Sequence, residues 1–132
     1  MAITLNDKQK KLLADKNFAH VGTINKDGST QVTPVWIDFD GTHVLFNTEE
    51  KRLKVRNMKR DPRVTLSVMD MANPYQYIAI RGRVVEITPE GALEHIDEMA
   101  QKYIGQEKYP WNQPTDVRVI VRIEPLRIVG QG

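Results

Sequence analysis

Hydrophobic and polar residues alternate with period two through most of this chain, and helical spacing interrupts the alternation in three places. The first is N-terminal. Asn6 can cap a short helix with Asp7 in its first turn, Gln9 placed to complete a capping box, and Leu12 and Leu13 on one side; it should end near Lys16 and Asn17. Residues 18–24 and 31–38 then read as strands on either side of the turn Asn25-Lys26-Asp27-Gly28, which makes a hairpin. A second turn, Asp38-Phe39-Asp40-Gly41, leads into a strand over residues 42–47. Pro34 has no amide donor and marks an edge, a bulge or a place where something other than a strand docks.

The second helical segment opens at Thr48, read as its cap, with Glu49 and Glu50 in the first turn, and Asp61-Pro62 closes it. Residues 63–69 return to alternation, and residues 75–87 form a long β-rich segment broken by Gly82, a natural bulge or bend. Thr88-Pro89-Glu90 reads as the start of the third helix, with Leu93, Ile96, Ala100 and Tyr103 at helical spacing, followed by an irregular stretch over residues 104–115. Finally Val117, Val119, Val121 and Ile123 alternate with Arg118, Ile120, Arg122 and Glu124, and Leu126-Arg127-Ile128-Val129 extends or crosses that strand. The expectation is a mainly β, α+β chain of about six strands with two or three helices, a small antiparallel barrel in one domain over residues 1–132.

Composition narrows the function more than the fold. A hydrophobic share of 40% against 27% charged residues is an ordinary globular balance with no low-complexity tract. With no cysteine, disulfides, thiolate metal sites and cysteine nucleophiles are excluded, and the composition suits a reducing cytoplasm. No apolar run is long enough for a membrane span and none follows a basic start, so a soluble, unprocessed protein is expected. Net charge is only +2, too small for a general pull on nucleic acid. Its distribution is uneven: Lys51, Arg52, Lys54, Arg56, Lys59, Arg60 and Arg63 crowd one segment, opposed there only by Asp61.

That basic segment is either a solvated helix face or an anion site. Arg52 with Arg56, and Arg56 with Lys59 and Arg60, share a face and repel by a few tenths of a kcal/mol per pair. An anion relieves such repulsion: Arg offers a planar fork, Lys a point charge, and Asn57 a neutral amide donor. Elsewhere the signals are weak. His20, His43 and His95 lie on separate elements and read as ordinary strand and helix residues, so no metal is expected. Nucleophile-elbow, P-loop and Rossmann glycine patterns are missing, so an enzymatic role calls for a bound cofactor.

The run Asn47-Thr48-Glu49-Glu50-Lys51-Arg52-Leu53-Lys54-Val55-Arg56-Asn57, followed by Asp61-Pro62-Arg63-Val64, resembles the phosphate-binding segment of the flavin/deazaflavin split-barrel superfamily. That superfamily includes the pyridoxamine 5′-phosphate oxidase-like proteins and the coenzyme F420-dependent reductases. Asp27-Gly28, Thr33-Pro34-Val35-Trp36 and Arg81-Gly82-Arg83-Val84-Val85 also sit where its pattern has them. The resemblance implies that Arg52, Lys54 and Asn57 bind the cofactor phosphate and that the backbone of Thr33, Pro34, Val35 and Trp36 borders the ring system. It sets Asn47 and Thr48 beside the ribityl chain or phosphate, with Met69 and Tyr77 either flanking the cofactor or packing in the core. It further implies a homodimer with cofactor sites at the interface, Trp111 either reaching the partner's site or plugging its own loop.

The chain stops at Leu126-Arg127-Ile128-Val129-Gly130-Gln131-Gly132, without the extended substrate-binding C-terminus of true pyridoxamine phosphate oxidases, which points away from vitamin B6 oxidation. The basic segment is most similar to the compact deazaflavin branch, where Lys8, Lys10, Lys11 and Lys16 either help hold a polyglutamate tail or are simply solvated. Three readings follow. The first is an F420-dependent oxidoreductase passing hydride to an unsaturated or quinone-like small molecule. The second is an FMN-binding oxidoreductase of the same fold. The third is a non-catalytic nucleic-acid-binding barrel, against which stands the lack of aromatics interleaved with the basic residues.

Overall fold

The computed structural model describes residues 2–131, and of Gln131 only the backbone; Met1 and Gly132, the ends of the expected domain, lie outside the described residues. Strands β1 (Phe18–Ile24), β2 (Thr30–Trp36), β3 (Asp38–Phe39), β4 (Val44–Glu49), β5 (Arg63–Met69), β6 (Tyr77–Thr88) and β7 (Arg118–Gln131) join in one antiparallel sheet of order β2-β1-β5-β6-β7-β4-β3. Helices α1 (Asp7–Ala14), α2 (Leu53–Arg60) and α3 (Ala92–Ile104) complete it. β2 and β3 stand at opposite ends of that order, yet Ile37 alone separates them in the chain. One residue spans at most about 3.6 Å. The sheet must therefore curl until its two edges meet, which is the split-barrel architecture expected from sequence, with β3 a seventh strand cut from the predicted run over residues 31–38.

The cut at Ile37 has a visible cause. Its side chain is fully buried, its amide donates to the Tyr103 hydroxyl at 2.9 Å, and its carbonyl accepts from Lys102 Nζ at 2.7 Å. Side chains of α3 thus take the place of a strand neighbour at the crossover. Burial pushes the Tyr103 phenol up to about 12, so the group stays protonated and donates onward to the Asn17 carbonyl.

Alternation sorts the sheet's two faces. Phe46, Val44, Val121 and Ile123 point into the main core with Leu66, Ile78 and Ile80, while Leu45 and Ile120 point the other way and are covered by Ala92 of α3. Leu12 and Leu13 of α1 and Val55 and Met58 of α2 join the main core. Asn6 accepts from the Gln9 amide and Gln9 answers the Asn6 amide, both at 2.9 Å, the predicted capping box. Gly82 marks the predicted bulge: the β6–β7 register shifts between Arg81 and Gly82, and a Cβ there would meet Ile123 Cγ2 at 2.5 Å and the Glu124 carbonyl at 3.0 Å. Pro34 lies on the edge strand β2.

Two helix starts differ from expectation. Thr48 does not cap α2; it pairs with Val119, and Glu49 with Arg118, in the β4–β7 ladder, so the strand runs on and the helix opens at Leu53 with Arg52 as a cap that makes no side-chain bond. Neither Glu49 nor Glu50 is in its first turn. Likewise Thr88 remains in β6 opposite Ile120, and α3 begins only after Gly91, whose φ of 74° suits the residue that turns the chain. In both places a backbone ladder, adding one bond per residue, outlasts a local side-chain cap.

Candidate functional site

Where the curled edges of the sheet approach, a cleft of about 420 Å³ opens between β2, the end of β4 and the start of α2. Its floor is Thr33, Pro34, Val35 and Trp36, contiguous on the edge strand. Lys54, the second residue of α2, reaches across and donates to Thr33 Oγ1 at 3.1 Å. Arg52 and Arg118 complete a trio of cations, and Glu49 is the one carboxylate that shares the lining with them.

The trio is relieved only in part: Glu49 and Asp116 act on the Arg118 charge without forming an ion pair with it. Burial pushes the Lys54 ammonium below the usual lysine range, and the neighbouring Arg52 and Arg118 charges push it further. Burial also pushes Arg118 down. Two other carboxylates of the basic segment are engaged elsewhere: Arg63 forks onto Asp61 at 3.0 and 2.6 Å, holding that carboxyl at about 2, and Glu50 faces Lys59 at 3.6 Å. Among the described residues none of Arg52, Lys54 and Arg118 forms an ion pair.

The cleft also has an aromatic wall. Trp36 stacks on Tyr103 at 5.1 Å with 4° between planes, Tyr109 meets Trp36 edge-on at 5.9 Å, and Trp111 meets Tyr109 edge-on at 5.6 Å. Arg118 lies 5.1 Å over the Tyr109 ring and donates from Nε to Asn47 Oδ1 at 2.9 Å. Asn47 in turn donates to the Ala92 carbonyl at 2.8 Å and meets His95 Nδ1 at 3.2 Å, and His95 Nε2 meets Asp38 Oδ2 at 3.0 Å. Burial alone would raise the Asp38 carboxyl, but hydrogen bonds from His95 and the Phe39 amide bring it below its usual value.

Of the eleven residues expected at the site, the cleft brings together eight: Thr33, Pro34, Val35, Trp36, Asn47, Thr48, Arg52 and Lys54. It does not bring in Asn57. That side chain is fully buried against β1, donating to Thr23 Oγ1 at 3.1 Å and Asn25 Oδ1 at 2.8 Å, so its amide protons are taken by the fold. Met69 and Tyr77 pair with each other across β5 and β6, away from this lining. Trp111 lines its own chain's cleft while 57% exposed.

Arg118, Tyr109 and Glu49 were not foreseen. Arg118 is the polar neighbour of Val119 in an alternating strand, and only the cross-strand register, Glu49 opposite Arg118, carries it to the cleft. His95 is no ordinary helix residue either, being buried between a carboxylate and an amide.

Similarity to known proteins agrees with this architecture. A solved F420 reductase is 32% identical, with 94% of this chain and 98% of that one covered at a TM-score of 0.82. A conserved hypothetical protein of Mycobacterium tuberculosis is 25% identical over 96% of this chain and 84% of its own, TM-score 0.74. A putative pyridoxamine 5′-phosphate oxidase of Lactobacillus delbrueckii, 17% identical with 96% and 94% covered, shares the fold at a TM-score of 0.67. The model of the pyridoxamine 5′-phosphate oxidase family matches residues 5–130, and with nearly the whole chain inside that match the protein belongs to this family.

Proposed function

We propose that the chain is a cytoplasmic, homodimeric oxidoreductase whose cleft grips the phosphate of coenzyme F420 and passes hydride to an unsaturated or quinone-like small molecule. The observation that carries this is the convergence of Lys54, Arg52 and Arg118 on one cleft with Glu49 their one acidic neighbour in the lining. The fit can be judged from Lys54: its ammonium has one protein acceptor, Thr33, and two protons left for an anion. The 32% identity to an F420 reductase favours the deazaflavin over FMN.

When bound, the coenzyme supplies the hydride chemistry itself. The protein's part is grip, orientation and exclusion of water. Lys54 and Arg52 would give charge-assisted hydrogen bonds to phosphate oxygens, while Trp36, Pro34, Tyr109 and Trp111, which line the same cleft, would supply apolar surface for the ring system. A homodimer has a natural seat in a second, mostly apolar depression of about 610 Å³, whose lining includes Val32, Val64, Gly82 and Leu126 together with Arg63 and Arg81, and where Val32 is 61% exposed.

The test is titration of the purified protein with F420 and with FMN, together with the absorbance spectrum and mass of any molecule that copurifies. Micromolar or tighter binding of F420 with much weaker FMN binding is expected. FMN binding alone would reverse the cofactor assignment, and binding of neither would reject it. Light scattering on the same samples should give twice the chain mass; a monomer with cofactor present would overturn the dimer.

A further inference from the structure

The hydrogen bonds beside the cleft form one directed chain, and the partners fix its direction. Asn47 Nδ2 lies 2.8 Å from the Ala92 carbonyl and its Oδ1 lies 2.9 Å from Arg118 Nε. A turned-over amide would set oxygen against oxygen and donor against donor, so only this orientation is satisfied. The remaining Nδ2 proton meets His95 Nδ1 at 3.2 Å, which makes Nδ1 an acceptor and puts the ring proton on Nε2. That proton is donated to Asp38 Oδ2 at 3.0 Å, while Asp38 Oδ1 accepts from the Phe39 amide at 2.8 Å. Asp38 of β3, His95 of α3 and Asn47 of β4 contribute one group each, and the chain terminates on Arg118 of β7.

We propose that Asp38 and His95 are positioning residues that act through Asn47 to hold the Arg118 guanidinium aimed into the cleft. Arg118 needs such a hold because no carboxylate grips it: Glu49 and Asp116 act on its charge without forming an ion pair. Its Nε is tied to Asn47 and its guanidinium carbon lies 5.1 Å over the Tyr109 ring, and among the described residues no carboxylate forms an ion pair with its terminal nitrogens. His95, with only 8% of its side chain exposed, is shielded from water, which would otherwise compete for both ring nitrogens. The effect on ligand affinity rests on the proposed cofactor reading, whereas the aiming is a property of the free protein. Releasing a long side chain that binding must then immobilise should weaken affinity by about fivefold to tenfold.

The experiment has a ligand-free arm and a binding arm. Nitrogen-15 NMR of the free protein should show His95 protonated at Nε2 and bare at Nδ1, with an Arg118 Nε–H resonance protected from exchange. In His95→Leu that protection should be lost. In His95→Asn, whose amide oxygen can still accept from Asn47, it should persist. If His95→Leu does not fold, Asn47→Ala cuts the same chain one link later. In the binding arm, His95→Leu should weaken F420 and FMN by the stated factor in the wild-type background and by less than twofold in an Arg118→Met background. Equal weakening in both backgrounds, a proton on Nδ1, or an Arg118 signal indifferent to His95 would overturn the proposal. An Arg118 signal that depends on His95 in a protein binding neither cofactor would support the aiming role and overturn the proposed function alone.

Discussion

The two ends of α2 carry the same kind of residue and do different work. At its start, Arg52 and Lys54 face the cleft without a carboxylate partner, and the Lys54 ammonium has a single hydroxyl to donate to. At its end, Asn57 and Arg60 are tied to β1: Asn57 bonds Thr23 and Asn25, and Arg60 donates to the Ile24 carbonyl and to Asn57 Oδ1. In sequence both halves are one basic, amide-bearing run. What separates a binding group from a folding group here is whether its donors already have acceptors, and position along α2 decides that: Lys54 and Asn57, three apart, share a face, but the first reaches Thr33 of β2 beside the cleft and the second reaches Thr23 of β1.

The sharpest way to break this contrast is to remove the binding half. Arg52→Ala/Lys54→Ala should cost cofactor affinity about 3 kcal/mol or more, from two charge-assisted hydrogen bonds at roughly 1.5 to 3 kcal/mol each, with apo stability changing by about 1 kcal/mol or less. Dissociation constants and apo melting curves of the same preparations give both numbers. Unchanged affinity for F420 and FMN would reject the phosphate assignment, and a collapsed apo fold would move these residues into the structural half.

Asn57→Ala should do the reverse. It strips partners from Thr23, Asn25 and Arg60 at a site where Asn57 itself is fully buried, so unfolding free energy should drop by about 2 to 3 kcal/mol while the affinity of the surviving folded protein changes less than twofold. Urea denaturation monitored by tryptophan emission measures the first quantity. A large loss of affinity at full stability would return Asn57 to the cofactor.

The smallest effect is in pH, and its sign is distinctive. Burial, then Arg52 and Arg118, lower the Lys54 pKa in the folded chain, so at alkaline pH just below 10.5 the unfolded chain holds a proton that the folded one has released. Stability of the apo protein therefore rises with pH across that window. The same deprotonation removes the charge that holds an anion, so cofactor affinity falls there. Lys54→Met should flatten both trends; comparison with this variant is needed because Lys102 is also lowered by burial. Parallel trends in wild type and variant would show that Lys54 is not the titrating group.

Much of the fold was legible because it rests on local rules. The capping box of Asn6 and Gln9, the hairpin over Asp27 and Gly28, the bulge at Gly82 and the alternation of β5 and β7 each depend on residues close in sequence. The site was legible only where it is contiguous: Thr33 to Trp36 lie on one strand, and Arg52 and Lys54 on one turn. Arg118, Tyr109 and the pairing of His95 with Asp38 arise from register and from a loop folding back, neither of which has a local signal. Thr48 and Thr88 were misread for a related reason, since capping propensity says nothing about a strand partner arriving from elsewhere in the chain.

The single-residue crossover at Ile37 has a consequence for how this architecture can diversify. Because the two sheet edges are joined there by covalent chain and not zipped along their length, the outer edge of β2 carries no ladder that a change of recognition must respect. Thr33 and Pro34, which are not in the core, can be exchanged at this edge with only the β1 pairing to respect, whereas Val35 packs in the main core and Trp36 stacks on Tyr103. A seam of this kind separates inheritance of the scaffold from inheritance of specificity: the barrel can be kept while its mouth is rewritten.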